Sequence, residues 1–173
     1  MDTDPTPMCA VLVGLPDVTV RGVSEWPKWL RVEVTTALER PSCGRTAWHH
    51  GTREVVLVDL AMVGRPVRLA WCKQRWRCPI CRRTWIEQQP EIASAGCALT
   101  TRAARWATLQ VGRHGRCVVK AADDLGCVEH RVMDAVELYG TPLIDDRDRF
   151  GTVTALGLDE TLFCRQGRFR VQC

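Results

Sequence analysis

Residues 53–86 read REVVLVDLAMVGRPVRLAWCKQRWRCPICRRTWI, and this stretch decides most of the fold. Two runs rich in β-branched and other apolar residues, 53–59 and 66–71, predict two strands. Gly64 and Arg65 stand between these runs and predict a turn. The sequence therefore predicts a β-hairpin that leads directly into a cysteine-containing segment.

Short apolar runs on the N-terminal side of this hairpin predict two further strands. They are bounded by prolines, which are typical of strand ends and turns. The residues that carry the two runs are Val18, Val20 and Val23 for the first, and Trp29, Leu30, Val32 and Val34 for the second. We therefore predict an N-terminal β segment at 1–39, ahead of the hairpin.

The cysteine-containing segment has the spacing of a zinc knuckle. Cys78 and Cys81 flank Pro79 and Ile80, and two thiolates at this spacing can bind one tetrahedral ion. Cys43 in the earlier turn is the predicted third ligand. The sequence leaves the fourth ligand open among His49, His50 and Cys72. We predict a zinc-binding β module at 40–90, and the alternative is a metal-free module with buried cysteines.

The periodicity becomes helical after residue 98. Thr100 or Thr101 can cap a helix that extends to about Val111. Two further helical patterns cover 118–125 and 129–139, and Gly140 and Pro142 predict the end of the last one.

Two of these predicted helices are separated by a glycine-containing turn, which predicts a helix-turn-helix module at 98–142. We expect Val119, Ala122, Leu125, Val132 and Val136 to form its internal core. The N-terminal residues of the second helix would face bases in the major groove, and they include His130 and Arg131. The predicted phosphate-binding residues are Arg102, Arg105, Arg113, Arg116 and Lys120. A helical hairpin without a DNA-binding role is the alternative.

The whole composition is that of a globular protein, with 46% hydrophobic and 25% charged residues among 173. No run approaches the roughly 18 apolar residues of a membrane helix. The N-terminus also lacks the basic flank of a signal peptide. We therefore expect a soluble, cytoplasmic protein without a membrane partner, in which ten cysteines indicate metal binding rather than disulfides.

The net charge of +4 is distributed unevenly along the chain. Residues 40–89 have 10 basic and 3 acidic side chains, and residues 90–122 have 5 basic and 1 acidic. Both flanks, 1–39 and 123–151, are acidic. A basic block of this kind indicates a polyanionic partner, and a solvated basic face is the alternative.

Several motifs occur together in one order. They are a CPxCG-like turn at 40–44, DLAMVGRPVRL at 59–69, RWRCPIC at 75–81, RWATLQVGRHGR at 105–116, and LGLDET at 156–161. This order resembles that of bacterial insertion-sequence transposases of the ISL-three type, from about Leu12 to the last residue. The resemblance implies a nucleoid-associated protein with an N-terminal zinc-binding domain and a helix-turn-helix that binds the terminal inverted repeats of its element.

The resemblance further implies a C-terminal DDE catalytic domain with a ribonuclease-H-like fold. Asp159 matches the first catalytic carboxylate, and 152–173 matches only the start of that domain. We expect Asp159 to be inactive alone, because two divalent metal ions need several carboxylates around them. Magnesium is accordingly expected only in a full-length enzyme. The overall expectation is an α+β chain: a zinc-ribbon-like module, a helix-turn-helix module and a strand stub.

The sequence departs from the family pattern at three places. Arg40 replaces the first knuckle cysteine, Glu129 stands where relatives often have an aromatic residue, and 14 residues follow Asp159. We therefore expect the DNA-binding part of a transposase, partnered by a second copy or by a full-length transposase. The alternatives are a transposition inhibitor and a stand-alone DNA-binding regulator. We also expect weak protection from hydrogen exchange at 152–173, because the partner strands of the stub are absent.

Overall fold

A computed structural model describes residues 13–15, 17–36 and 47–152. This part of the chain is α+β, with a mixed sheet of five strands and three α-helices. Arg40, Cys43 and Asp159, and the predicted stub after residue 152, lie outside the described residues. No helix in the described ranges is both long enough and apolar enough to cross a membrane. The strands are β1 (Val18–Glu25), β2 (Leu30–Thr36), β3 (Trp48–Met62), β4 (Arg65–Arg77) and β5 (Thr84–Ile86).

The sheet has the strand order β1-β2-β4-β3, and β5 pairs with β4. The pairing of β2 with β4 is parallel, from Leu30 beside Val67 to Val34 beside Trp71. All other pairings are antiparallel. Strands from the two segments predicted at 1–39 and 40–90 therefore hydrogen-bond within one sheet.

The predicted hairpin is confirmed, but its strands are longer than the apolar runs that predicted them. β3 has 15 residues and β4 has 13. The first seven residues of β3 are all exposed, so no apolar alternation marks them in the sequence. Pairing with β4 extends the strand there. The turn lies at Val63 and Gly64, both with positive φ, and Arg65 already belongs to β4.

One core lies against the middle of the sheet. Leu69 and Trp71 of β4 are fully buried there, opposite Leu57 and Val55 of β3. Alternation along a strand directs every second side chain to the same face, which brings these residues together. The buried residues of this cluster are Val13, Val20, Val32, Val34, Leu57, Val67, Leu69, Trp71, Ile92 and Ala93.

The helices follow the sheet in the chain as α1 (Thr101–Thr108), α2 (Val118–Leu125) and α3 (Glu129–Asp145), with a π-helical turn at Leu109–Arg113 after α1. The predicted N-cap is confirmed, because the Thr100 hydroxyl accepts the backbone N–H of Ala103 at 3.3 Å. Residues 98–100 also hydrogen-bond to Val58 along the outer edge of β3. The start of α1 is thereby attached to the sheet.

The predicted end of the last helix is wrong, because α3 continues through Gly140 and Pro142 to Asp145. Tertiary contacts explain part of the difference. The Tyr139 hydroxyl lies 2.8 Å from the Ser94 hydroxyl and donates to Thr101 at 3.2 Å. These bonds hold the helix against α1, and Gly140 is buried beside Thr108, which accounts for the continuation through that glycine. Residues 141–145 are exposed, and no contact in the described ranges explains the continuation through Pro142.

Candidate nucleic-acid interface

The turn between α2 and α3 is formed by Gly126 and Cys127. Gly126 has a left-handed φ of 60° at the end of α2. Its N–H donates to the carbonyl of Asp123 at 3.0 Å, and the Cys127 N–H donates to that of Ala122 at 2.9 Å. This pair of bonds is a Schellman motif, which ends a helix sharply and favours glycine. The glycine that predicted a turn therefore has its expected role.

Strand β4 packs against this turn through Pro66 and Arg68. A Cβ atom at Gly126 would lie 2.7 Å from the Pro66 side chain, so no larger residue fits without displacement. The Arg68 guanidinium donates to the carbonyl of Leu125 at 3.3 Å and to that of Gly126. Desolvation lowers the pKa of Arg68, which is consistent with this partly buried position. The sheet and the helices are thus joined at the turn itself.

Small side chains line the contact between the helices. Ala103, Ala104 and Ala107 of α1 are fully buried against the other two helices. The Thr108 hydroxyl donates to the carbonyls of Ala104 and Ala135, at 2.9 and 3.4 Å. Of the predicted core, Ala122, Leu125 and Val132 are buried and Val136 is partly buried. Val119 is 41% exposed, so its placement in the core was wrong.

Arg102 forms an internal ion pair rather than a surface contact. Its Nε donates to Oδ1 of Asp59 at 2.8 Å, and a second nitrogen binds Oδ2. Asp59 is completely buried in β3 and also accepts the Thr100 hydroxyl at 2.7 Å. The sequence analysis did not identify Asp59, although a lone carboxylate in the apolar run VVLVDL is a signal for a buried pair. Arg102 is therefore already bound within the fold.

The other predicted phosphate-binding residues differ in their surroundings. Arg116 pairs with Asp124 at 2.6 Å, and Lys120 lies 3.8 Å from Asp123. Arg105 and Arg113 are exposed and have no ion pair with any residue in the described ranges. Two of the five cations are thus partly neutralised by α2 itself.

The first turns of α3 present an acidic surface. His130 is exposed and Arg131 is half-buried, so both predicted base-contacting residues lie at the start of the helix. Glu129, Asp134 and Glu137 are exposed on the same helix. Across residues 118–145 there are two basic and six acidic side chains. This charge opposes a close approach to phosphates.

The predicted zinc knuckle is the loop between β4 and β5. The Cys78 N–H donates to the carbonyl of Arg83 at 3.0 Å and closes the loop. Cys78 is buried and Cys81 is exposed. Arg82, directly after the second cysteine, has a left-handed φ of 58°, which is uncommon for a residue other than glycine. The two cysteines thus sit in one tight turn, as their spacing predicted.

The three alternatives for a fourth ligand are not equally placed. Cys72 lies within β4, and Cys78 directly follows this extended strand, six residues later. The two cysteines are therefore about 20 Å apart and cannot bind one ion with Zn–S distances of about 2.3 Å. His49 of β3 lies opposite Trp76, and Trp76 is two residues before Cys78. The Nε2 atom of His49 is 2.8 Å from the Gln74 side-chain oxygen. His50 is exposed. Within the described ranges, no three His, Cys, Asp or Glu residues form a possible metal site.

Comparisons with known proteins do not assign this chain to a family. A scan against protein-family models, a search of curated proteins and a search of solved structures each found no match to this chain.

Proposed function

We propose that this protein binds duplex DNA, with α2 and α3 as a helix-turn-helix unit and the start of α3 in the major groove. The observation that carries the proposal is the Schellman turn at Gly126, held by Pro66 and Arg68, which fixes the direction of α3 relative to α2. A recognition helix must be held rigidly to position its side chains against base edges. His130 and Arg131 are at its N-terminal end, where such contacts are made.

The charges on α3 restrict how it would approach DNA. Its acids disfavour phosphate contacts but suit base contacts, because a carboxylate such as that of Glu129 accepts from the cytosine N4 amino group. Arg131 suits guanine in the same way. Phosphate contacts would then come from cations without an ion pair in the described ranges, which include Arg105 and Arg113 on the N-terminal side of α2.

The resemblance to ISL-three transposases indicates which DNA the protein would bind. By that resemblance the target is the terminal inverted repeat of an insertion sequence, and the role is end binding during transposition. By the same resemblance, Asp159 matches the first catalytic carboxylate of the family.

A salt-titrated binding assay tests this function. The wild-type chain is expected to prefer a duplex of the terminal repeats that flank its gene over a scrambled duplex, with affinity that falls steeply as salt rises. His130→Ala together with Arg131→Ala should remove the preference. Arg21→Ala, on β1, is the matched exposed control. Equal affinity of the wild-type chain for both duplexes would contradict end recognition.

We also propose that Cys78, Cys81 and Cys43 hold a structural zinc ion. The paired cysteines in one tight turn support this proposal. Elemental analysis of the purified protein should find about one zinc per chain, and Cys81→Ser should lower both the metal content and the melting temperature, because metal binding and folding are coupled. Cys117→Ser is the control for zinc content, since Cys117 is also exposed but lies at the N-cap of α2. Unchanged zinc content in Cys81→Ser would contradict the site.

A further inference from the structure

A second charged surface lies at the end of the sheet, on β3, β4 and the loop that follows β4. We call it the distal basic surface, and it consists of five exposed arginines, namely Arg53, Arg75, Arg77, Arg82 and Arg83. Residues 48–53 and 73–86 together contain six basic side chains, these five and Lys73, and no acidic one. Charge of one sign at this density raises the local concentration of an oppositely charged partner.

The arginines of this surface have no internal counter-charge. None of the five forms an ion pair or a side-chain hydrogen bond with another residue in the described ranges. The two acids that adjoin these segments in sequence, Glu54 and Glu87, are already bound. Glu54 pairs with Arg31 at 2.6 Å, and the buried Glu87 accepts the Gln74 N–H at 3.0 Å and the Thr36 hydroxyl.

Strand geometry places three of these arginines in one row. Arg53 lies directly opposite Lys73, and Arg75 and Arg77 follow Lys73 at intervals of two residues. Such residues point to the same face of a sheet and are about 6.6 Å apart along a strand. Arg82 and Arg83 extend the charge into the β4–β5 loop. A row of forked guanidiniums suits the phosphates of a nucleic-acid backbone.

The length of β4 sets the distance from this row to the α2–α3 turn. Arg68 binds that turn, and Arg77 is nine residues further along the same strand, or about 30 Å. Nine is an odd number of residues, so alternation along β4 directs the Arg77 side chain to the face of the sheet opposite to that of Arg68. We propose that the distal basic surface binds the phosphate backbone of duplex DNA at a site separate from the α2–α3 unit. This inference rests on the proposed function.

Charge-neutral substitutions test the surface. In the variant Arg53→Gln, Arg75→Gln and Arg77→Gln, the slope of log affinity against log salt should decrease by about 2 to 3, since each lost phosphate contact contributes about 0.9. The preference for repeat over scrambled DNA should remain, because phosphate contacts carry no sequence information. The matched control with the same change in charge is Arg21→Gln, Arg147→Gln and Arg149→Gln, all at exposed positions.

Two further variants separate charge from folding. Arg→Lys at the same three positions should keep the slope, because the charge remains. Single Arg75→Gln and Arg77→Gln variants, which alter exposed side chains only, should each lower the slope by about 0.9. A slope that changes no more in the triple Gln variant than in the control would overturn the proposal.

Binding to scrambled DNA distinguishes this inference from the proposed function. The slope of log affinity against log salt for scrambled duplex should be lower in the triple Gln variant than in the wild-type chain, because phosphate contacts do not depend on sequence. If the slope falls in this way and the wild-type chain does not prefer the repeats, the surface is supported and end recognition fails. If the wild-type chain prefers the repeats and the slope changes no more than in the control, the surface is contradicted and end recognition stands.

Discussion

The helices α2 and α3 and the distal basic surface have opposite charge characters. Residues 118–145 have six acidic and two basic side chains, whereas 48–53 and 73–86 have six basic and none acidic. Under the proposed function, the helices would supply base contacts and the sheet would supply phosphate contacts. The difference teaches that positive and negative charge are segregated between two regions of this fold, so the two kinds of contact would be made by different elements.

The two regions are connected through the hairpin of β3 and β4. Arg68 binds the α2–α3 turn, and Arg77 belongs to the basic surface on the same strand. Asp59 on the neighbouring strand binds Arg102 of α1. The relative position of the two regions therefore depends on a few contacts, and substitutions there test whether the regions act together.

The largest expected effect is that of Asp59→Ala. It removes a completely buried carboxylate and leaves the Arg102 guanidinium without its partner, so the free energy of unfolding should fall by about 3 to 5 kcal/mol. Urea denaturation measures the loss. Glu54→Ala is the control on the same strand, because the Glu54–Arg31 pair is largely exposed and should contribute less than about 1 kcal/mol. Equal losses in the two variants would contradict the structural role of Asp59.

The next effect is that of Gly126→Ala at the junction of sheet and helices. An alanine in the left-handed conformation is strained, and its Cβ would overlap Pro66. The free energy of unfolding should therefore fall by about 2 to 4 kcal/mol. Gly64→Ala is the control, because Gly64 also has a positive φ, of 73°, but no atom lies within 4 Å of the position that an alanine methyl group would take. A loss of only about 1 kcal/mol in the free energy of unfolding is expected there. Adding Pro66→Ala to Gly126→Ala should recover part of the loss, and no recovery would exclude the overlap as its cause.

Neutralising the acids of α3 should have a smaller effect, on binding. Glu129→Gln with Asp134→Asn removes two negative charges from the proposed DNA-facing helix. Affinity for scrambled DNA should rise about fivefold, corresponding to about 1 kcal/mol of relieved repulsion. The ratio of repeat to scrambled affinity should fall, which fluorescence anisotropy measures directly. Glu25→Gln with Glu33→Gln, at exposed acids of β1 and β2, is the control and should leave both affinities near wild type.

The smallest expected effect is on the pH dependence of stability, and it arises from Lys73 near the basic end of the sheet. Burial lowers the pKa of Lys73, and the nearby charge of Arg53 adds to this shift although Glu87 opposes it. The unfolded chain therefore binds this proton more tightly, so the Lys73 contribution to stability increases as pH rises from the lowered folded pKa towards 10.5.

Lys73→Met should remove that increase. The experiment compares the pH dependence of unfolding in Lys73→Met with that in Lys28→Met, an exposed lysine between β1 and β2. Burial raises the pKa of the Cys97 and Cys127 thiols, which gives an opposite trend at alkaline pH, and the difference between the two variants cancels it. Identical pH profiles would show that Lys73 has no such role.

Local patterns predicted much of the fold. The hairpin, the cap at Thr100 and the glycine turn at Gly126 all depend on a few neighbouring residues, and the structure has each of them. Predictions failed where distant contacts decide the outcome. The bonds from Tyr139 to Ser94 and Thr101 attach α3 to α1, and no local pattern indicated them.

The candidate sites divide in the same way. The sequence placed Cys78 and Cys81 in one turn and His130 and Arg131 at the start of one helix, since spacing alone determines these. It could not indicate that Arg102 is bound by Asp59, 43 residues away.

The sequence by itself determined the local elements and the charge of each segment, because hydrophobic periodicity, capping and composition act over a few residues. Only the tertiary structure decided that β2 lies parallel to β4 and that Arg102 is internal. It also decided that the acidic helices contact the same β3–β4 hairpin whose far end is basic. The physical reason is that strand pairing and ion-pair burial depend on which surfaces meet, and residues far apart in the chain supply those surfaces.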